Sequence, residues 1–407
     1  MEEKKFGLIG RTLKHSYSKI IHKYLGDYAY DLYEMESDAL ESFVKGKSVS
    51  GYNVTIPYKT EIIPYLDKVE GVAEEIGAIN TVVNRDGKLI GYNTDFDGMA
   101  FMLKKGGISL KDKTVLVLGS GGTSKTANVV AKHLGAKKVF TVSRTGEVNY
   151  KNCYDINAEV IINTTPVGMF PNNYEKPIDL KRFSNLEGVA DVVYNPSLTA
   201  LTNEARELGI KYVNGLYMLV AQAKFAAEKF LDKKIDDGVI DDIFNKLLAG
   251  KQNIVLIGMP GSGKSTVGKI IAERLCLEFI DTDYEIVKRE GRDIPTIFRE
   301  DGEEYFRKVE AEVLKEVGKL TGKVIATGGG IVKNIANRYP LRSNGKIFYL
   351  KRSVEKLVTD GRPLSKDLET VKKLYAERKE MYEAFADKTI DNDGDIKETV
   401  KGVLENL

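Results

Sequence analysis

Gly258-Met-Pro-Gly-Ser-Gly263-Lys264-Ser265 has the G-x-x-x-x-G-K-[ST] spacing of a phosphate-binding loop. The apolar run Asn253 to Ile257 before it reads as a buried strand, and Lys264 to Leu275 after it reads as a helix. The motif's mechanism needs that order. Its glycines let backbone N–H groups close around a phosphate, and the helix N-terminus adds a favourable dipole. Gly261, Gly263, Lys264, Ser265 and Thr266 would hold the phosphates of ATP or GTP, with the Ser265 hydroxyl on Mg2+. A glycine-rich turn that binds nothing is the alternative, and the correctly placed strand and helix disfavour it.

This loop begins past the middle of a 407-residue chain, a length that suits two or three domains. Apolar content of 42% and charge of 29% are ordinary for a globular protein. A net charge of +2 gives no global field pointing to nucleic acid or an acidic surface. Two cysteines, Cys153 and Cys276, fall in different apparent domains and indicate neither a metal site nor a disulfide framework. The first residues lack the apolar length of a signal peptide, and no run approaches a membrane span, so a cytoplasmic location without a membrane partner is expected.

Strands alternate with amphipathic helices throughout, the pattern of α/β domains with mainly parallel sheets. Thr114–Leu118 reads as a strand leading into Gly119-Ser-Gly121-Gly122 and a helix to about Leu134. Further strands are expected at 138–143, 159–162 and 189–193, and a helix from Leu216 to about Phe230 could pack back on the first block. The expected organisation is a first lobe over 1–105 completed by the helix 216–235, a Rossmann-type lobe over 106–215, a junction over 236–251, and a P-loop domain over 252–407. A short amphipathic helix is expected after Asp241.

Downstream of the phosphate loop a strand ends in Asp281-Thr-Asp283. Two carboxylates at i and i+2 on an extended end can serve a metal-bound water and a substrate hydroxyl; the alternative is a pair of solvated turn residues. Then come Gly302-Glu303, Phe306-Arg307, the strand 324–327 ending in Gly328-Gly329-Gly330, Gly361-Arg362-Pro363-Leu364, and Arg378 with Tyr382 four residues on. Each arginine alone reads equally well as a surface ion pair. In this order the motifs D-T-D, G-E-x-x-F-R, T-G-G-G, G-R-P-L and R-x-x-x-Y resemble shikimate kinase across 252–407. The resemblance implies that Asp283, Arg307, Gly329, Gly330 and Arg378 bind shikimate. It also implies that Asp281 lies near Mg2+ and that Arg362 belongs to a lid closing over the phosphates of ATP. The chemistry agrees: two guanidiniums grip a carboxylate in a planar geometry, and Asp283 accepts from a substrate hydroxyl and takes its proton.

In the first half, Gly119-x-Gly121-Gly122 is a dinucleotide-loop variant. After the next strand an NAD enzyme usually carries an acid, but this chain has Ser143-Arg144-Thr145, which suits a 2′-phosphate. Taken alone, Arg144 also reads as a solvated strand-end charge. His15-Ser16-Tyr17-Ser18 follows a strand-like Phe6–Ile9, and 53–59 sets Asn53, Thr55 and Lys59 in one extended loop. Gly77-Ala-Ile-Asn80-Thr81, Asn93-Thr94-Asp95 and Gln222 complete a polar set whose members, one by one, read as turn or cap residues.

Together these pieces, with N-T-T-P-x-G-M and G-x-x-M-L-V-x-Q, resemble shikimate dehydrogenase over about residues 5–235. The resemblance implies that Ser16, Ser18, Asn53, Thr55, Lys59, Asn80, Asp95 and Gln222 bind substrate and that Lys59 and Asp95 are the catalytic pair. Gly119, Gly121, Gly122, Ser143, Arg144 and Thr145 would bind NADP. The chain departs from the family at Thr12 and Lys19, where prolines are usual, and at Ser143, where asparagine is usual. Gly146-Glu-Val148 supplies no second cation.

The two halves imply consecutive chemistry: 3-dehydroshikimate reduced to shikimate with NADPH, then shikimate phosphorylated at its 3-hydroxyl with MgATP. Three alternatives remain at this point. They are a first half that prefers quinate, a non-catalytic NADP sensor, and a P-loop kinase for another small molecule.

Overall fold

The computed structural model describes residues 4–14, 16–357 and 368–407. His15 of the serine motif and Arg362 within Gly361–Leu364 lie outside them. The chain divides into two compact units. The first comprises Met1–Met169, Glu175–Tyr194 and Leu201–Lys246; the second comprises Phe170–Tyr174, Asn195–Ala200 and Leu247–Leu407.

The first unit contains two sheets. One is built from β1 (Lys5–Gly10), β2 (Ala29–Glu34), β3 (Gly51–Val54), β4 (Lys68–Val69), β5 (Thr81–Arg85) and β6 (Lys88–Tyr92), in the order β2-β1-β3-β5-β6-β4. β1 pairs parallel with β2 and β3, but β5 runs antiparallel to both β3 and β6. The reversal is local in origin. Asp86 and Gly87 both take positive φ (51° and 83°), the two-residue turn that closes β5 and β6 into a hairpin. This sheet is therefore mixed.

The other sheet is parallel throughout: β7 (Thr114–Leu118), β8 (Lys138–Val142), β9 (Val160–Asn163), β10 (Gly188–Asp191) and β11 (Lys211–Val213), in the order β11-β10-β9-β7-β8. β7 and β9 carry nearly continuous Val/Ile/Leu runs because both sheet faces are covered.

Two helices, Thr94–Lys105 and Leu216–Leu231, lie tightly against each other in this unit. Gly98 permits the approach: a Cβ there would meet Met218 O at 2.8 Å and the Gln222 Cβ at 2.9 Å. Gln222 is thereby brought against the helix whose first turn carries Asp95. The far end of Leu216–Leu231 packs on the mixed sheet, where Phe230 stacks on Phe6 with ring centroids 4.7 Å apart. Lys224, almost fully buried, bonds Glu228 at 2.7 Å and Asp237 at 2.8 Å. That pairing fixes the entry to the helix Gly238–Ala249, which starts three residues before the expected Asp241.

The second unit holds a parallel sheet of β12 (Asn253–Ile257), β13 (Glu278–Asp281), β14 (Lys323–Ala326), β15 (Gly345–Lys351) and β16 (Lys388–Asp391), in the order β13-β14-β12-β15-β16. The phosphate loop leaves the carboxyl end of the central strand, where open α/β sheets place their ligands. Among the described residues no helix is long and apolar enough to cross a membrane.

Candidate active sites

In the first unit the mixed sheet delivers polar side chains to one cavity of about 410 Å3. Ser16, Ser18, Asn53, Thr55, Lys59, Asn80, Asp95 and Gln222 all line it. Asn53 is the penultimate residue of β3, and Asn80 immediately precedes β5, its antiparallel neighbour. Asn93 caps the helix Thr94–Lys105 by accepting from Phe96 N at 3.2 Å, which sets Asp95 in the first turn, where the helix dipole favours a carboxylate.

Lys59 is not in the extended loop expected from sequence. It lies on the short helix Tyr58–Glu61, because the fully buried Tyr58 ring, its hydroxyl bonded to Met35 O, draws the chain into a turn. From that helix Lys59 Nζ reaches Asp95 Oδ2 at 2.5 Å, with the side chains 29% and 16% exposed. The pair is thus held in a partly dry wall, where charge–charge interaction exceeds its value at an open surface.

A buried polar network backs this pair. Asn80 Oδ1 accepts from Thr94 N at 2.7 Å. Asn53 Nδ2 donates to Thr81 Oγ1 at 3.0 Å, and the Tyr30 hydroxyl donates to Asn53 Oδ1 at 2.8 Å. Tyr30 in turn stacks on His22, centroids 3.8 Å apart. The Ser16 hydroxyl accepts from Ser18 N at 3.2 Å, and Gln222 Nε2 donates to Leu219 O at 2.8 Å. Tyr194, which was not singled out from sequence, also lines the cavity, as does Met218, the methionine of G-x-x-M-L-V-x-Q. Tyr194 offered one signal, an aromatic hydroxyl immediately after the strand expected at 189–193.

Burial drives His22 down from its ordinary 6.5 to about 3, and the nearby Asn53 amide offsets only part of that. A depressed folded-state value means the unfolded chain takes the proton first. The stabilisation is complete above pH 6.5 and drains away as pH falls toward about 3. By pH 5 the loss is about 2 kcal/mol. The first unit's unfolding free energy should fall between pH 7.5 and pH 5 by about 2 kcal/mol more in the parent than in His22→Phe, measured by denaturant titration.

The dinucleotide loop follows β7. Gly119 takes a left-handed φ of 106°, and Cβ atoms on Gly121 or Gly122 would point into open space. Gly122 opens the helix Gly122–His133, so its N-terminus faces that space. Ser143, Arg144 and Thr145 follow β8, with Arg144 and Thr145 exposed. A backbone open to close approach beside an exposed cation fits a phosphorylated dinucleotide.

In the second unit a cavity of about 540 Å3 is lined by Gly261, Gly263, Lys264, Ser265, Thr266, Asp281, Asp283, Arg307, Gly329, Gly330 and Arg378. Lys264 Nζ donates to Gly258 O at 2.9 Å and Met259 O at 3.0 Å, holding the ammonium at the loop's mouth. Ser265 Oγ donates to Asp281 Oδ2 at 2.7 Å. That hydroxyl–carboxylate contact beside the loop is a donor set that fits Mg2+. The two aspartates do not share an extended end. Asp281 caps the helix Thr282–Glu290 by accepting from Asp283 N at 3.1 Å, so Asp283 lies in the first helical turn.

The triple glycine is what lets the cations and acids converge. A Cβ on Gly330 would strike Arg307 Nη1 at 2.2 Å, and one on Gly328 would meet Asp283 Oδ1 at 2.7 Å and Glu310 Oε1 at 3.0 Å. Arg378 Nη1 donates to Gly329 O at 3.2 Å. Glu310 is the member missed in the sequence. It is 1% exposed, accepts from Arg307 Nη1 at 2.8 Å, and is pushed above the usual carboxylate range by burial and by the Asp283 charge, against the pull of Arg307. Its spacing three residues after Arg307 was the available signal, indistinguishable from a solvated helical ion pair.

Comparison with known proteins finds relatives for both halves of the chain. Residues 260–407 match the family model described as shikimate kinase, and residues 8–82 match that of the shikimate dehydrogenase substrate binding domain. A shikimate dehydrogenase (NADP(+)) of Caldicellulosiruptor bescii is 40% identical over 251 residues, 54% of this chain and 86% of that protein. A chorismate mutase/shikimate 5-dehydrogenase fusion protein from Clostridium acetobutylicum is 37% identical with TM-score 0.58, covering 61% of this chain and 97% of the other. Shikimate 5-dehydrogenase of Thermus thermophilus, solved in complex with NADP(H) and shikimate, is 27% identical with TM-score 0.55, over 60% and 99% of the two chains. The chain therefore belongs to the shikimate dehydrogenase family through its first half and carries a shikimate kinase domain in its second, making it a dehydrogenase–kinase fusion.

Proposed function

We propose that this bifunctional shikimate-pathway enzyme reduces 3-dehydroshikimate to shikimate with NADPH and then phosphorylates the shikimate 3-hydroxyl with MgATP. The assignment of the dehydrogenase to 1–105, 106–215 and the helix 216–235, and of the kinase to 252–407, belongs to the same reading, as does a cytoplasmic location. One observation carries it most: Lys59 Nζ bonded to Asp95 in a cavity lined by all the residues assigned to the substrate. Gly119, Gly121, Gly122, Ser143, Arg144 and Thr145 would hold NADPH, which when bound would supply a hydride to the ketone carbon. As the carbonyl oxygen gains charge, Lys59 stabilises it and donates a proton, while Asp95 fixes the ammonium's direction. Ser16, Ser18, Asn53, Thr55, Asn80 and Gln222 hold the ring hydroxyls and carboxylate.

In the kinase, Arg307 and Arg378 grip the shikimate carboxylate, and Gly329 and Gly330 give the ring close backbone approach. Asp283 accepts the proton of the attacking hydroxyl. Lys264 and the loop N–H groups neutralise the phosphates, and Ser265 with Asp281 would hold Mg2+. Phosphoryl transfer asks mainly for this positioning and charge neutralisation.

Arg144 is assigned to the 2′-phosphate. Arg144→Ala should raise KM for NADPH about tenfold and leave KM for NADH nearly unchanged, since one charge-assisted hydrogen bond is worth about 1.5–3 kcal/mol. Steady-state rates with both cofactors check this. The substrate assignment is tested by comparing kcat/KM for shikimate and quinate in the oxidative direction, and by 31P–1H correlation of the kinase product. A preference for quinate, or phosphate on another hydroxyl, would overturn it.

A further inference from the structure

Arg352, one residue beyond β15, is a cation that neither half's assigned machinery uses. β15 adjoins β12 on the side away from β14 and β13, so the phosphate loop separates Arg352 from Asp281, Asp283 and the triple glycine. A Cβ on Gly263 would stand 3.6 Å from Arg352 Nη1, which puts the guanidinium beside the glycine that opens the loop's helix. Its Nε is buried with no acceptor, and among the described residues the guanidinium makes no ion pair or hydrogen bond.

The acid close enough to feel its charge is already engaged. Asp393 Oδ1 accepts from Ser353 N at 2.7 Å, and Asp393 Oδ2 accepts from Ser353 Oγ. Asn392 Nδ2 donates to Ser262 O, tying the end of β16 to the phosphate loop on this same flank. The flank is thus a fixed wall carrying one partly buried, unsatisfied guanidinium against a loop built for phosphate.

Resting on the reading of this cavity as the kinase's nucleotide site, we propose that Arg352 contacts the phosphate chain of the bound nucleoside triphosphate from the flank opposite the shikimate residues. A planar cation with free donors meets phosphate oxygens there, and an orphaned Nε gains the acceptor it lacks. The role is distinct from that of Lys264, which enters the loop from within.

Full-length Arg352→Gln, Arg352→Lys and Lys264→Ala test it, with KM for MgATP and for shikimate measured separately and thermal melting recorded. Arg352→Gln should raise KM for MgATP about tenfold and leave KM for shikimate within about twofold; Arg352→Lys should recover most of the loss. KM for MgATP within about twofold of the parent in Arg352→Gln would overturn the proposal. Equal damage from Gln and Lys would also overturn it, placing the guanidinium on the base and not the phosphates. Lys264→Ala separates the premises: if it still phosphorylates at the parental rate, the nucleotide-site reading itself has failed.

Discussion

Lys59→Ala is expected to lower the dehydrogenase turnover number about a thousandfold while phosphorylation of added shikimate continues at the parental rate. The size follows from what Lys59 supplies. On the proposed mechanism Lys59, part of a partly buried ion pair, would provide both the charge opposite the developing oxyanion and the proton that quenches it. Substrate binding should change far less than turnover, because the hydroxyl-reading residues remain. Lys59→Arg should not rescue, since a guanidinium holds its proton too firmly to deliver it. A loss confined to KM would mean that Lys59 only binds substrate. An unchanged rate would remove Lys59 from the catalytic step.

Asp283→Asn is the second large effect, about a hundredfold to a thousandfold on kinase turnover, with the dehydrogenase untouched. The amide keeps the shape of the first helical turn but cannot take the proton of the attacking hydroxyl. Arg307→Ala makes the contrast. It should weaken shikimate binding more than turnover, and it strands Glu310, which is 1% exposed and relies on that guanidinium. Separate KM and kcat values for the two variants distinguish a proton acceptor from a carboxylate clamp. Equal effects of both on KM alone would deny Asp283 its role in proton transfer.

Sequence made some parts of this molecule plain and hid others for physical reasons. The phosphate loop was legible because its chemistry is local: eight consecutive residues, a strand before and a helix after. The Lys59–Asp95 pair was not legible from spacing. Thirty-six residues separate its partners, and only the family resemblance joined them. Expecting Asn53 to Lys59 in one extended loop failed because tertiary burial of Tyr58 outweighs the local preference around Pro57. Asp281-Thr-Asp283 looked extended because helix caps and strand ends share the same residue types. Glu310 was hidden in a charged helix, Gly302–Lys319, and is buried where the triple glycine comes close to it. The hairpin at Asp86-Gly87 carries a recognisable turn signal, and its antiparallel strands are where the mixed sheet departs from a mainly parallel reading.

The most direct test of the whole account is a single incubation of the full chain with 3-dehydroshikimate, NADPH and MgATP, with products identified by mass spectrometry. The account predicts shikimate 3-phosphate, lost when either NADPH or MgATP is withheld, with shikimate accumulating when only MgATP is absent. Shikimate that accumulates with both present would contradict the kinase assignment. No consumption of NADPH or NADH would contradict the dehydrogenase assignment, and with it the claim that the two halves perform successive steps.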